Sequence, residues 1–372
     1  MSTVRVVVPA GIDDPARVSG GNRYDRAVCD ALRDAGWSVT EIAVEGPWPR
    51  PDAPALARLA LALDALPDGA LVLVDGLIAS AARAVLAPPP SERLRLRLRL
   101  VVLVHMVFGG VAVPERDESA VLAVARAVVT TSDWTRRRLL ARYPLPAGRV
   151  HVASPGSEPA PVSPRSPDGG RLLCVGTLSP LKGQDLLLDA LGDVSGLPWR
   201  CTLVGPLDRD PQFVASLGRR ATATGIADRV RMPGTRTGAA LRREIEDADL
   251  LVVPSRSETY GMVVPEALAA GVPVLATAVG GLPEALGHTS DGRPGILVAP
   301  DDPGALAAGL ARWLTDARLR DRLRGAALRR REALPGWRST GACVGRVLAA
   351  VAAEPDPPEI RVASHTDGGR WA

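Results

Sequence analysis

Two glutamates, Glu258 and Glu266, stand eight positions apart around a glycine in the run Pro254-Ser255-Arg256-Ser257-Glu258-Thr259-Tyr260-Gly261-Met262-Val263-Val264-Pro265-Glu266. An ionised carboxylate only accepts hydrogen bonds, and it can take two hydroxyls at once, which is the chemistry of holding a sugar or a ribose. One carboxylate falls in a turn and the other in the helix that follows, so both can face a ligand across the turn. The amides of Gly261, Met262 and Val263, at the helix start, add donors. A second candidate is Lys182, in Val175-Gly176-Thr177-Leu178-Ser179-Pro180-Leu181-Lys182-Gly183. A cation ahead of a helix opposes the helix dipole, a penalty that a bound diphosphate reverses through charge-assisted hydrogen bonds. Lys182 is also the only lysine, and Asn22 the only asparagine, in a chain whose basic residues are otherwise arginine. Both lie in glycine-containing turns before helices, which points to positions where no substitute serves.

A third turn, Ser19-Gly20-Gly21-Asn22-Arg23-Tyr24, opens the first helix, where paired glycines let backbone amides approach an anion. It lacks the Gly-x-Gly-x-x-Gly pattern of dinucleotide sites, which argues against a dehydrogenase. His105 closes the apolar run Val101–Val104 and, taken alone, reads as a satisfied core histidine. Asp208-Arg209-Asp210 has the spacing of a metal-binding pair, but it stands between a strand and a proline-started helix, where turn and cap chemistry accounts for it. No metal and no cofactor are expected.

The elements that must position these residues alternate along the chain. Strand patterns at Val4–Val8, Ser38–Val44, Leu71–Val74, Leu100–His105, Ala127–Thr131 and Val150–Val152 are separated by helical patterns such as Asn22–Ala35, Leu56–Leu66 and Asp133–Arg142. A Pro-, Gly- and Ser-rich stretch from Ser154 to Gly170 interrupts the alternation. It then restarts at Leu172–Val175, Trp199–Val204, Val230–Met232, Leu250–Val253, Pro273–Ala276 and Ile296–Val298. Two doubly wound α/β domains with parallel sheets follow from this pattern. The carboxyl third is helical, with Pro335-Gly336 freeing a last helix, Trp337–Ala353, to pack elsewhere. From 354 to 372 the chain reads as a disordered tail. The alternating Arg-Leu repeat over 93–100 reads as the approach to a strand with one solvated face.

The 372 residues suit two cores. With 46% hydrophobic and 23% charged residues the composition is globular. A net charge of +4 fits an anionic small ligand without calling for nucleic acid. Four scattered cysteines and no membrane-length apolar run suit a reduced, cytoplasmic protein, with peripheral membrane contact left open and oligomeric state unspecified.

The glutamate pair, together with Ala278-Val279-Gly280-Gly281-Leu282-Pro283-Glu284 and the Gly176–Gly183 turn, resembles the retaining GT-B glycosyltransferases of family 4. That resemblance implies two Rossmann-like domains facing across a cleft. Residues 1–160 would form the acceptor-binding domain and 161–335 the nucleotide-sugar domain, with a helix at 336–353 crossing back to the first. It implies transfer of a sugar from a nucleotide-diphosphate donor, UDP-sugar favoured, to a hydroxyl acceptor. A nucleotide-sugar epimerase on the same scaffold is the alternative. By the same resemblance Glu266 binds ribose, Glu258 faces the transferred sugar with the amides of Gly261, Met262 and Val263, and Lys182 neutralises the diphosphate. Gly20 and Gly21 close over the phosphates, Asn22 and Tyr24 meet the acceptor, and His105 stands near the sugar. Many members carry arginine where Thr177 stands, so Arg256 or another arginine is expected to assist Lys182. No carboxylate suited to be a nucleophile is apparent beside His105, so the leaving phosphate is expected to take the acceptor's proton.

Overall fold

A computed structural model describes residues 2–14, 19–88 and 97–355. The anticipated strands form within two residues of their expected bounds. β1 (Thr3–Pro9), β2 (Ser38–Val44), β3 (Ala70–Asp75), β4 (Leu98–Val104), β5 (Ala127–Thr130) and β6 (Val150–Val152) make one sheet. β7 (Arg171–Val175), β8 (Arg200–Val204), β9 (Val230–Gly234), β10 (Leu250–Val253), β11 (Val274–Thr277) and β12 (Gly295–Val298) make the other. Every pairing is parallel. Helices cover both faces, so strands such as Val101–Val104 are apolar without alternation and wholly buried. Each sheet therefore has two cores, one per face.

Strand order decides where ligands can sit. The first sheet runs β2-β1-β3-β4-β5-β6 and the second β12-β11-β10-β7-β8-β9. Connections leave in opposite directions between β1 and β3, and again between β7 and β10. Beyond the carboxyl ends of strands at such switch points a crevice opens. The turns after β1, β7 and β10 are the three glycine turns singled out by the sequence.

The chain crosses between the domains twice. Residues 153–170, without regular structure, lead into the second domain, and the last helix, Trp337–Ala353, returns to the first. There it packs on the first helix, Gly20–Asp34, and contributes Val344, Leu348 and Val351 to the core beneath β1, β3 and β4. The two crossings touch: Ser157 N donates to the Pro335 carbonyl at 2.9 Å, and Thr340 Oγ1 to that of Ser154 at 2.8 Å.

The Arg-Leu repeat enters β4 as a half-buried strand. Leu98 and Leu100 face the core, while Arg97 donates to the carbonyls of Leu63 and Leu66 at 2.5 and 2.6 Å, satisfying the end of the helix Ala53–Asp64. Arg99 donates to the Ala352 carbonyl. Positions 93–96, and the expected tail from 356 onward, lie outside the described residues.

Candidate active site

The turn after β7 carries Lys182 at the end of a short 3-10 turn, Pro180–Lys182, ahead of the helix Gln184–Asp193. Gly183 joins the two at φ 70°, and a Cβ there would fall 2.1 Å from the Pro254 carbonyl oxygen, so the β7 and β10 turns interlock only because this residue is glycine. Lys182 Nζ consequently reaches Glu258 and pairs with its Oε2. The Glu258 loop is held in turn by Gly280 and Gly281: the Gly281 amide donates to the Glu258 carbonyl at 3.0 Å, and Gly280, at φ 56°, sits where a Cβ would be 1.6 Å from that oxygen. The Ala278–Glu284 segment is thus the clamp of the Glu258 turn.

Glu266 lies in the helix Val263–Ala269 and faces the other domain, where Arg23 Nη1 meets its Oε1 at 2.6 Å. Burial raises the Glu266 carboxyl above its ordinary pKa, and Arg23 pulls it back. The amides of Gly261, Met262 and Val263 have no acceptor among the described residues. Gly20 approaches the Met262 sulfur and Gly21 the His105 ring, the built Cβ positions lying 3.6 and 3.3 Å away. Gly20, Gly21, His105, Lys182, Glu258 and Met262 line one cleft of about 330 Å³ between the domains. Glu266 borders an adjoining cavity of about 200 Å³, and Arg23 lines both.

His105 follows β4 directly, and two carboxyls that the sequence did not single out stand beside it. Asp25 Oδ1 stands 2.8 Å from His105 Nε2, and Asp75 Oδ2 stands 3.5 Å from it. Both carboxyls are almost wholly buried, at 2% and 4% exposure. Against the desolvation that disfavours its charge, the imidazole is pushed up to about 10 by Asp25 first and Asp75 second. Burial drives the Asp25 carboxyl up, whereas hydrogen bonds from His105 and Asp25 hold Asp75 down despite its own burial. Of the two carboxyls, Asp25 is the one pushed towards its neutral form, and Asp75 is held towards its ionised form; Asp25 Oδ1 faces the imidazole, while its buried Oδ2 has no hydrogen-bond partner among the described residues. These three are the one group among the described residues whose ligand atoms gather closely enough for a metal, all within 4.8 Å.

Other expectations resolve differently. Tyr24 borders the cleft, but it is 1% exposed, its hydroxyl donates to the Ala153 carbonyl at 2.6 Å and its ring packs edge-on to His105, so it serves the packing of the site. Ser19 Oγ caps the first helix by accepting from the Asn22 backbone N–H at 3.0 Å, and Asn22 does not line the cleft. Arg256 is consumed by Asp185, Asp301 and the Pro180 carbonyl at 2.6–2.8 Å and cannot assist Lys182. Asp210 caps the helix Pro211–Ala223 by accepting from Phe213 N at 3.0 Å, the capping role expected for that motif. Across the cleft, Glu284 accepts from the amides of Asp133 and Trp134 at 2.9 and 3.1 Å, and Ser132 Oγ donates to the Thr259 carbonyl at 2.8 Å. The start of an amino-domain helix is capped by the other domain.

Comparison with known proteins bears on this geometry. Residues 160–330 match the family model described as glycosyl transferases group 1. The D-inositol 3-phosphate glycosyltransferase of Jonesia denitrificans is 31% identical over 233 residues, covering 57% of this chain and 54% of that protein. The chain thus spans about half the length of the curated relatives it matches. Among solved structures, the sucrose-phosphate synthase of Thermosynechococcus elongatus superposes with a TM-score of 0.75 at 23% identity, over 94% of this chain and 99% of that one. Anabaena Alr3699/HepE in complex with UDP and glucose superposes at 0.73 with 18% identity, over 94% and 100%. At these identities the likeness speaks to the fold, which is GT-B.

Proposed function

We propose that the chain, whose residues 160–330 match the family model of glycosyl transferases group 1, is a metal-independent retaining glycosyltransferase using a nucleotide-diphosphate sugar, a UDP-sugar being the donor favoured by the resemblance. In this reading residues 1–160 receive the hydroxyl acceptor, 161–335 bind the donor, and 336–353 tie the two together. The observation that carries it is the convergence of Lys182, Glu258 and the unbonded amides at Gly261–Val263 around the β7/β10 switch point, opposite Gly20, Gly21 and His105. Glu266 takes the ribose hydroxyls and Glu258 those of the sugar, while Lys182 and the start of the helix Val263–Ala269 receive the diphosphate.

The chemistry inferred here uses no protein nucleophile. Asp25 and Asp75 lie buried behind the imidazole, where they fix its charge and orientation and do not present a nucleophile. The acceptor oxygen therefore attacks from the face the leaving group departs, the C1–phosphate bond breaks, and the leaving phosphate oxygen takes the acceptor's proton. Lys182 stabilises the charge developing on the diphosphate, and imidazolium His105 adds a donor beside the sugar. Four free cysteines, three of them buried, suit a reducing compartment, and the reading places the reaction in the cytoplasm. No helix of the described residues is long and apolar enough to cross a membrane.

Thermal-shift measurements with UDP, GDP, ADP and TDP, with and without EDTA, test the donor site. A saturable shift with one diphosphate, insensitive to EDTA and lost in Glu266→Ala, is expected. No shift, or one that requires metal, overturns the reading. Donor turnover with no second substrate points instead to the epimerase.

A further inference from the structure

On the donor reading just given, both glutamates must be open to hydroxyls, yet each already faces a cation. Lys182 pairs with Glu258, and Arg23 reaches Glu266 from the other domain at 2.6 Å. Burial explains the second pair, since an isolated carboxylate so deeply placed is strongly disfavoured. Arg23 itself is not buried: its side chain is 44% exposed, and it rises from the first turn of the first helix beside Gly20 and Gly21. It borders both the main cleft and the smaller cavity that holds Glu266. Hydroxyls that take the Glu266 carboxylate displace its guanidinium. The cleft into which it is released is also lined by Gly176, Thr177 and Lys182, the turn assigned to the diphosphate.

We propose that Arg23 is a second diphosphate-binding residue, held on Glu266 in the empty protein and transferred to the phosphates when ribose hydroxyls replace it. The planar guanidinium matches two phosphate oxygens at once. Donor binding then exchanges two internal ion pairs, Arg23–Glu266 and Lys182–Glu258, for cation contacts on the diphosphate and hydroxyl hydrogen bonds on the two carboxylates. Because Arg23 belongs to the amino domain and Lys182 to the carboxyl domain, the diphosphate becomes the bridge between them. Arg236, the other arginine of this cleft, lies within the carboxyl domain, with Nε 3.9 Å from Glu244 Oε1.

Isothermal titration of UDP and of uridine, on the wild type, Arg23→Ala, Arg23→Lys, Arg236→Ala and Glu266→Ala, tests this. Arg23→Ala is expected to bind uridine at least as tightly as the wild type, its competitor for Glu266 being gone. It should bind UDP about tenfold to a hundredfold more weakly, the worth of a charged hydrogen bond, with Arg23→Lys between. If Arg23→Ala changes uridine and UDP by the same factor, Arg23 is a latch only and the proposal falls. It falls also if Arg236→Ala alone loses the diphosphate increment. The donor reading is judged separately, by whether the wild type binds uridine and UDP at all and Glu266→Ala loses both.

Discussion

The protonation assigned to the His105 cluster has an unequal consequence for its two carboxyls. If Asp25 is the protonated partner, Asp25→Asn replaces one neutral group by another of the same shape. The amide oxygen still accepts from His105, and the neutral amide NH₂ stands where the neutral carboxyl's buried Oδ2 stood. Loss of stability should stay within about 1 kcal/mol, the size of one imperfect hydrogen bond. Asp75→Asn instead removes the one anion opposing a buried imidazolium, and breaking such a pair costs about 3–5 kcal/mol. The helix cap that Asp75 Oδ1 provides to Leu77 N, at 2.5 Å, is not at stake, because asparagine caps equally well. For a domain of this size the difference amounts to roughly 4–20 °C in melting temperature. Urea unfolding of both variants at pH 7, with NMR titration of the imidazoles, measures it; His105 is one of four histidines. In the wild type its pKa is raised from the ordinary value to about 10. The stability it contributes is therefore complete below about pH 6.5 and disappears as pH rises through 10. Asp75, whose pKa is depressed, contributes above the ordinary carboxylate range and loses its share on acidification. A wild-type His105 titrating near 6.5, or an Asp25→Asn variant less stable than Asp75→Asn, refutes the assignment.

Lys182→Ala should lower turnover by about a hundredfold or more, the usual loss of one preorganised charge stabiliser, with Lys182→Arg partly active; full turnover in single-turnover assays would exclude leaving-group stabilisation by this residue. Gly280→Ala must place a methyl on the Glu258 carbonyl at a positive φ. It should cost at least about 2 kcal/mol and weaken donor binding, read by denaturant midpoint and by titration. Glu284→Ala removes the cap from the Asp133 and Trp134 amides. It should raise KM for the donor while each domain's far-UV signature stays intact, whereas an unchanged KM would show that this contact plays no part in closure.

The fold was legible because both sheets are parallel and covered on both faces, so each strand announces itself as an uninterrupted apolar run such as Leu100–Val104. Three site turns were legible for a related reason: glycine is required where backbone meets backbone, as at Gly183 and Gly280. Asp25 was not, since between Tyr24 and Arg26 it reads as one more polar residue of a helix. Its burial is imposed by the strand ends beside it. Asp75 could have been found, because it ends a strand immediately before Gly76, where ligands of open sheets gather. The Arg23–Glu266 and Glu284–Asp133 contacts were beyond reach: they depend on how two domains dock, which no local pattern encodes. Tyr24 misled for the opposite reason, a hydroxyl that looks available in sequence being committed to a carbonyl 129 positions away.

The return of the last helix to the amino domain also sets an order on synthesis. The face of the first helix carrying Val28 and Leu32 is covered in part by Val344, Leu348 and Val351, so the domain made first lacks a piece made last. Roughly 300 residues separate the two, which at about 5–20 residues per second is of the order of 15–60 s on the ribosome. The carboxyl domain, continuous in sequence, can fold during that interval. The amino domain waits with an apolar groove open, exposed to chaperones and to neighbouring nascent chains. A ribosome stalled short of residue 340 would therefore hold one continuous domain and one sticky one, and premature termination there would yield a product prone to aggregate.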